Sequence, residues 1–186
     1  GYYSDAYLET LALYRKIADQ MIAYSTLLFH GSVIAVDGEA YLFTAKSGTG
    51  KSTHTKLWRK YFGNRAVMVN DDKPLLKVTG KGVLACGTPW AGKDHLQNNI
   101  MVPLKAVCIL ERDTVNHIEQ IRKRDAWKMI LQQSYRSDQP AVLSSTIRLA
   151  EQIMDKTKLY RLGCNMSMRA VETSYNGMNT DIDYAD

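Results

Sequence analysis

Cysteine is scarce in this chain and unclustered. Cys86, Cys108 and Cys164 are far apart among 186 residues, with no CxxC spacing. An odd, dispersed set excludes a disulfide framework and a cysteine-ligated zinc site, and it points to a reducing compartment. Cys108 lies inside the apolar stretch "AVCILE" and reads as a buried strand residue. No neighbouring pattern activates any of the three as a nucleophile. Long apolar runs are missing as well. Nothing approaches the roughly 20 residues that a membrane span needs, and no charged-then-apolar leader opens the chain. A cytoplasmic protein without a membrane partner is expected. Repeats, low-complexity tracts and obvious linkers are absent from the sequence.

The length fits one domain with a small appendage. At 45% hydrophobic and 23% charged residues, the composition is that of an ordinary globular chain able to bury a full core. The formal net charge is +5, and the densest basic group is "RKR" at 122–124. A nucleic-acid interface would need a basic stripe interleaved with aromatics, which is not seen, so no nucleic-acid partner is expected. The positive excess reads as a solvated face, with some charge focused near an anionic ligand.

Residues 6–25 place Tyr7, Leu11, Tyr14, Ala18 and Met21 at helical spacing. "SVIAVDGEAYLFTAK" reads as two strands around an Asp-Gly turn. "KSTHTKLWRKYFG" then reads as a helix with Leu57, Trp58 and Tyr61 facing inward and Gly63 ending it. "AVMVNDD", "PLLKV", "GVLACG", "LKAVCILER" and "HIEQI" are strand candidates. Helices are expected around 124–135 and 140–156, then a late strand "LYRLGCN" and a last helix "SMRAVETSYNGM". The sequence thus divides into an N-terminal helical segment over 1–28, a nucleotide-binding domain over 29–178 and a polar, flexible tail over 179–186.

Between the second strand and the helix after it stands "AKSGTGKST", residues 45–53. Gly48, Gly50, Lys51 and Ser52 follow the phosphate-loop pattern GxxxxGK[ST], with Ala45 in place of the first glycine. Glycines let successive N–H groups turn inward without a Cβ clash. Those groups and the helix N-terminus make an anion nest. Ser47, Gly48, Thr49, Gly50, Lys51, Ser52 and Thr53 are therefore the expected ATP-phosphate contacts. Lys51 is placed at the β- and γ-phosphates and Ser52 at Mg²⁺. Asp71 and Asp72 directly follow a strand, where the carboxyl ends of strands gather at the ligand edge of an α/β sheet. Either acid suits metal binding, and either suits the removal of a proton from an incoming hydroxyl.

His-Gly at 30–31 before the hairpin, "SGTGKS" after it and a strand ending in Asp-Asp together resemble the HPr serine kinase/phosphorylase family over roughly residues 29–110. The core of ATP-dependent phosphoenolpyruvate carboxykinase is similar. The resemblance implies an α/β P-loop nucleotide-binding fold of the phosphoenolpyruvate carboxykinase-like, HPr kinase C-terminal type: a mixed sheet with flanking helices. It also implies that Lys51 and Ser52 serve the nucleotide and Mg²⁺, that one of Asp71 and Asp72 is the catalytic base, and that His30 lies beside those acids. The family's later Glu and Arg-Gly-Leu-Gly stretch is replaced here by "LACGTPWAGKDH". That loop resembles a branch of HPr-kinase-related proteins that includes kinases of a serine on lasso precursor peptides. Members of that branch carry more sequence upstream, so an N-terminal segment before Gly1 is an expectation. A homo-oligomer is also expected, since HPr kinases resemble hexamers.

"GTPWAGKDH" reads as a rigid cationic loop, with Pro89 fixing its own φ and restricting Thr88. Trp90 is a candidate wall of an acceptor pocket, Lys93 a candidate partner of the transferred phosphate, and His95 an assistant. The competing reading is an ordinary turn with a packed Trp. Arg112, Arg136 and Arg148 are further phosphate candidates. The expected function is transfer of the γ-phosphoryl of Mg-ATP to a Ser or Thr hydroxyl of a protein or peptide. A small-molecule kinase and a non-catalytic nucleotide sensor stay open beside it.

Overall fold

The computed structural model describes residues 4–180. The chain opens with α1 (Asp5–Met21), β1 (Thr26–Leu28), β2 (Ser32–Val36), β3 (Glu39–Thr44) and α2 (Lys51–Phe62). Four strands follow: β4 (Ala66–Asn70), β5 (Leu75–Thr79), β6 (Gly82–Cys86) and the long β7 (Met101–Arg112). The last third holds β8 (His117–Gln120), α3 (Lys123–Gln133), α4 (Pro140–Lys156), β9 (Lys158–Cys164) and α5 (Met168–Asn179). The tail expected from 179 begins on the end of α5, and from 181 onward it lies outside the described residues.

The hairpin of β2 and β3 turns at Asp37 and Gly38, with φ of 52° and 85°. Two consecutive left-handed residues match the twist of the flanking strands, which is why Asp-Gly marks this turn. Arg65 donates from Nε to Asp37 Oδ1 at 3.1 Å and ties the turn to the chain after α2.

Among the described residues, nine strands form one mixed sheet in the order β1-β5-β6-β7-β3-β2-β4, with β9 also on β7 and β8 on β9. β7 joins two parts. Its first residues pair antiparallel with β6, while its later residues run parallel to β3 and β9. Ala40 lies opposite Leu104 but Tyr41 opposite Ala106, so Lys105 is a bulge. The extra residue reverses which face each later side chain takes. Leu104 accordingly joins one core cluster, and Ala106, Cys108 and Leu110 the other.

The two faces are covered by different helices. α3 and α4 bring Ala126, Ile130, Leu149 and Ile153 onto Val33, Leu42 and Val107. α2 and α5 bring Trp58, Phe62, Val171 and Met178 onto Ile34, Phe43 and Cys108. Every residue of β2 is buried, as expected of a central strand covered on both sides.

Two sequence expectations are corrected. Residues 26–28, placed in the helical segment, form β1, with Thr26 opposite Lys77 and Leu28 opposite Leu75. Ser25, at φ 54°, ends the preceding helical turn, and a three-residue strand is too short to show alternation. Tyr61 is 44% exposed, and its expected inward place belongs to Phe62, one helical turn after Trp58. The Trp58 and Phe62 rings lie 5.3 Å apart, and the Phe62 ring lies 4.7 Å from that of Tyr175 on α5. All three cysteines are free, and Cys108 is fully buried, which pushes its thiol pKa well up. Among the described residues no helix is long and apolar enough to cross a membrane.

Candidate active site

Residues 45–50 turn the chain from β3 into α2. Ala45, standing where the loop pattern has its first glycine, is fully buried in the core that Trp58 shares. Gly48 and Gly50 have φ of 77° and 123°, and a Cβ on either would meet nothing within 4 Å. The requirement for glycine here is therefore conformational rather than steric. No side chain caps α2 at Gly50, and its first bonded amide there is His54 N to Gly50 O at 2.9 Å. The amides of the first turn, at Lys51, Ser52 and Thr53, have no acceptor within the helix and carry the positive end of its dipole. Ser47, Gly48, Ser52 and Thr53 are exposed around this nest, and Thr49 and Gly50 are half-buried.

The acid turn follows from Asn70, the last residue of β4 and fully buried. Its Oδ1 accepts from Asp72 N at 2.8 Å and Lys73 N at 2.7 Å, which closes an Asx turn. Its Nδ2 donates to Thr88 Oγ1 and to the carbonyls of Thr88 and Trp90. One buried amide thus joins the two acids to the Trp90 loop. The sequence carries this signal as an Asn directly before Asp-Asp at a strand end.

Asp71 and Asp72 part company in three dimensions. Asp71 is buried, and its Oδ1 accepts from Gly92 N at 2.7 Å. Asp72 is half-buried, with His30 Nε2 3.3 Å from Oδ1 and Lys73 Nζ 2.8 Å from Oδ2. The His30 hydrogen bond, followed by the Lys73 ammonium, holds the Asp72 carboxyl well below the usual carboxylate range against the opposing effect of burial. His30 is itself anchored. Its Nδ1 lies 2.6 Å from Gln133 Oε1, and its backbone N–H donates to Gln133 O. Lys51 is half-buried; burial lowers the pKa of its ammonium, and the charge of Asp72 opposes that drop. The loop cation and the acid turn therefore share one electrostatic field.

The Trp90 loop is packed rather than free. The Trp90 ring lies 5.8 Å from that of Tyr14 on α1, and Lys73 Nζ lies 5.8 Å from the same Tyr14 ring. Lys93 and His95 are exposed. Asp94 between them pairs with Lys56 of α2 at 3.2 Å. Arg112 donates to the carbonyls of Gly48 and Thr49, so its guanidinium braces the glycine loop from outside. Arg148 donates to Ser145 Oγ within α4, and Arg136 is exposed after α3. Neither has a described contact with the glycine loop or the acid turn. Lys73, Asn70 and Gln133 are the site residues that sequence reasoning missed.

A cavity of about 410 Å³ lies beside the loop, bordered by Gly48, Gly50, Thr53, Leu110, Arg112 and Asn165. A hard divalent ion takes carboxylate and hydroxyl oxygens, which Asp71, Asp72 and Ser52 carry. Among the described residues no group of three or more His, Cys, Asp or Glu is placed to hold a metal by itself. An ion here would complete its shell from phosphate and water oxygens, which is the habit of Mg²⁺ at nucleotide sites.

No protein-family model matches the chain, and no curated protein does. Among solved structures, the HPr(Ser) kinase/phosphatase from Coxiella burnetii is similar at a TM-score of 0.41 and 10% identity. That likeness covers 80% of this chain and 94% of the other.

Proposed function

We propose that this protein is a kinase that transfers the γ-phosphoryl of Mg-ATP to the hydroxyl of a serine or threonine in a protein or peptide. One observation carries the reading. A glycine loop at a helix N-terminus carries Lys51, which feels the charge of Asp72, and that Asp72 is held by His30 and Lys73. Phosphoryl transfer asks for little else than positioning and charge stabilisation.

In this reading the amides of residues 47–52 cradle the β- and γ-phosphates, and Lys51 draws charge from them. Mg²⁺, held by Ser52 and Asp71, supplies further neutralisation of the phosphate oxygens when bound. The acceptor oxygen attacks the γ-phosphorus in line. Its bond to phosphorus forms, the bond from that phosphorus to the bridging oxygen breaks, and ADP departs. The hydroxyl proton passes to Asp72. A carboxylate as acidic as Asp72 is a weak base, so it orients the hydroxyl and takes the proton late, once bonding to phosphorus has acidified it. His30, anchored by Gln133, holds that carboxylate in place.

The test is label transfer from γ-labelled ATP with Mg²⁺ and a lysate of the source cells, followed by separation of macromolecules from small molecules. The expected result is a labelled protein or peptide that is lost with Lys51→Ala and reduced about a hundredfold or more with Asp72→Asn. Label found only in a small molecule would replace the macromolecular acceptor. Nucleotide binding without transfer to anything would leave a sensor.

A further inference from the structure

A second cleft, of about 250 Å³, shares no lining residue with the cavity beside the glycine loop. Two of the residues that line it, His30 and Lys73, are the pair that holds the two oxygens of Asp72. The rest of its wall includes Tyr14 from α1, Gln132 and Gln133 from the end of α3, and Tyr135. His30 and Lys73 thus join this cleft to Asp72, and the charge of Asp72 acts in turn on Lys51 of the glycine loop. An acceptor seated in the cleft would approach Asp72 from the side of His30 and Lys73.

We infer that this cleft is the acceptor site, and that it takes a Ser or Thr of an extended peptide together with an apolar or aromatic residue next to it. The inference rests on the kinase reading above. Volume argues for a peptide. Sites that enclose a whole small molecule run roughly 300–1,000 Å³, whereas 250 Å³ suits one or two side chains of a chain that continues outside. Chemistry argues for the neighbour. Tyr14 and Tyr135 offer rigid aromatic surface to an apolar side chain. The Gln132 amide can both donate and accept, as a peptide backbone requires, while the Gln133 amide is held by His30 and Met129. Lys73 is placed to follow the charge. It neutralises Asp72 before reaction, and it also lines the cleft that would hold the newly phosphorylated residue afterwards. Trp90 then belongs to the acceptor site at one remove: it packs on Tyr14 and keeps that wall in position.

The experiment uses the full chain, Mg-ATP and a set of short synthetic peptides. Each has one central serine, flanked by glycine, leucine, phenylalanine or aspartate. Two variants are compared with the wild type: Tyr14→Ala, and Gln132→Trp, which fills the cleft from an exposed helix position that tolerates substitution. Affinity for a fluorescent ATP analogue is read in parallel. The expected result is preferential labelling of the peptides with leucine or phenylalanine. In both variants kcat/KM for those peptides falls about tenfold or more, mainly through KM, with nucleotide affinity unchanged. Peptide labelling that is indifferent to the flanking residue, or that both variants leave intact, would overturn the cleft while the kinase reading stands. Failure of the wild type to label any peptide or protein would overturn the kinase reading and the cleft with it.

Discussion

A methyl group at position 92 would sit 3.0 Å from Asp71 Oδ2 and 3.3 Å from its carboxyl carbon. The same glycine donates its N–H to Asp71 Oδ1, so a side chain here would crowd the carboxylate that its backbone holds. Gly92→Ala is expected to displace Asp71 by a few tenths of an ångström. The expected outcome is a fall in kcat of about tenfold or more, because small misplacements at a reacting centre are costly, with the melting temperature changed by only a few degrees. Steady-state kinetics beside thermal melts check this, and an unchanged kcat would remove Asp71 from the chemistry. Gly92 could be read from sequence only as a permissive loop residue. Its purpose depends on a carboxylate 21 residues earlier. Lys73 was hidden for a similar reason: a lysine after two aspartates reads as surface charge until Tyr14 and Asp72 close around it.

At the scale of one element, α2 carries both the anion nest and a buried polar cluster that anchors it. Trp58 Nε1 donates to His54 Nε2 at 3.0 Å and to Ser174 Oγ of α5 at 3.1 Å. Phe43 of β3 meets the His54 ring edge-on, with centroids 4.7 Å apart. Burial lowers the His54 pKa from its ordinary 6.5 to about 4, so the folded protein holds it neutral. Above pH 6.5 His54 is neutral in both states and costs nothing. As the pH falls from there toward 4 the unfolded chain takes up a proton that the folded chain refuses, and stability drops. The loss amounts to on the order of 3 kcal/mol across that window. Urea unfolding over a pH series is expected to show this slope, and His54→Gln, which can still accept from Trp58, is expected to flatten it. A slope that persists unchanged would assign it to other groups. The helix itself was legible from its apolar spacing and from Gly63. The rotation that buries Phe62 and exposes Tyr61 was not, because α5 chooses it.

At the scale of the whole molecule, β7 is the shared member of an antiparallel part and a mixed part, and the two are locked where the end of β6 crosses the chain. Gly87 donates its N–H to Ile100 O. A Cβ there would fall 1.8 Å from Asn98 O and 2.9 Å from Val69 O, all backbone atoms. Because both parts share β7, unfolding is expected to be one cooperative transition by circular dichroism and by tryptophan fluorescence. Gly87→Ala forces backbone apart at the junction and is expected to cost about 3 kcal/mol or more, beyond ordinary overpacking. Two separate transitions in the wild type would show that the parts fold independently.

Some of this protein was determined by contiguous sequence alone. The Asp37-Gly38 turn, the glycine loop running into α2 and the acid pair after β4 depend on local backbone demands: positive φ, an uncapped helix start and an Asx turn. Each is satisfied by residues within a few positions of one another. Tertiary structure decided the distant partners of the two acids. Gly92 takes Asp71, while His30 joins the adjacent Lys73 on Asp72. Gln133, which anchors His30, stands 103 residues from it in the chain. Two identical carboxyls side by side in sequence acquire different charge environments only when distant segments close around each one, and no local pattern encodes that closure.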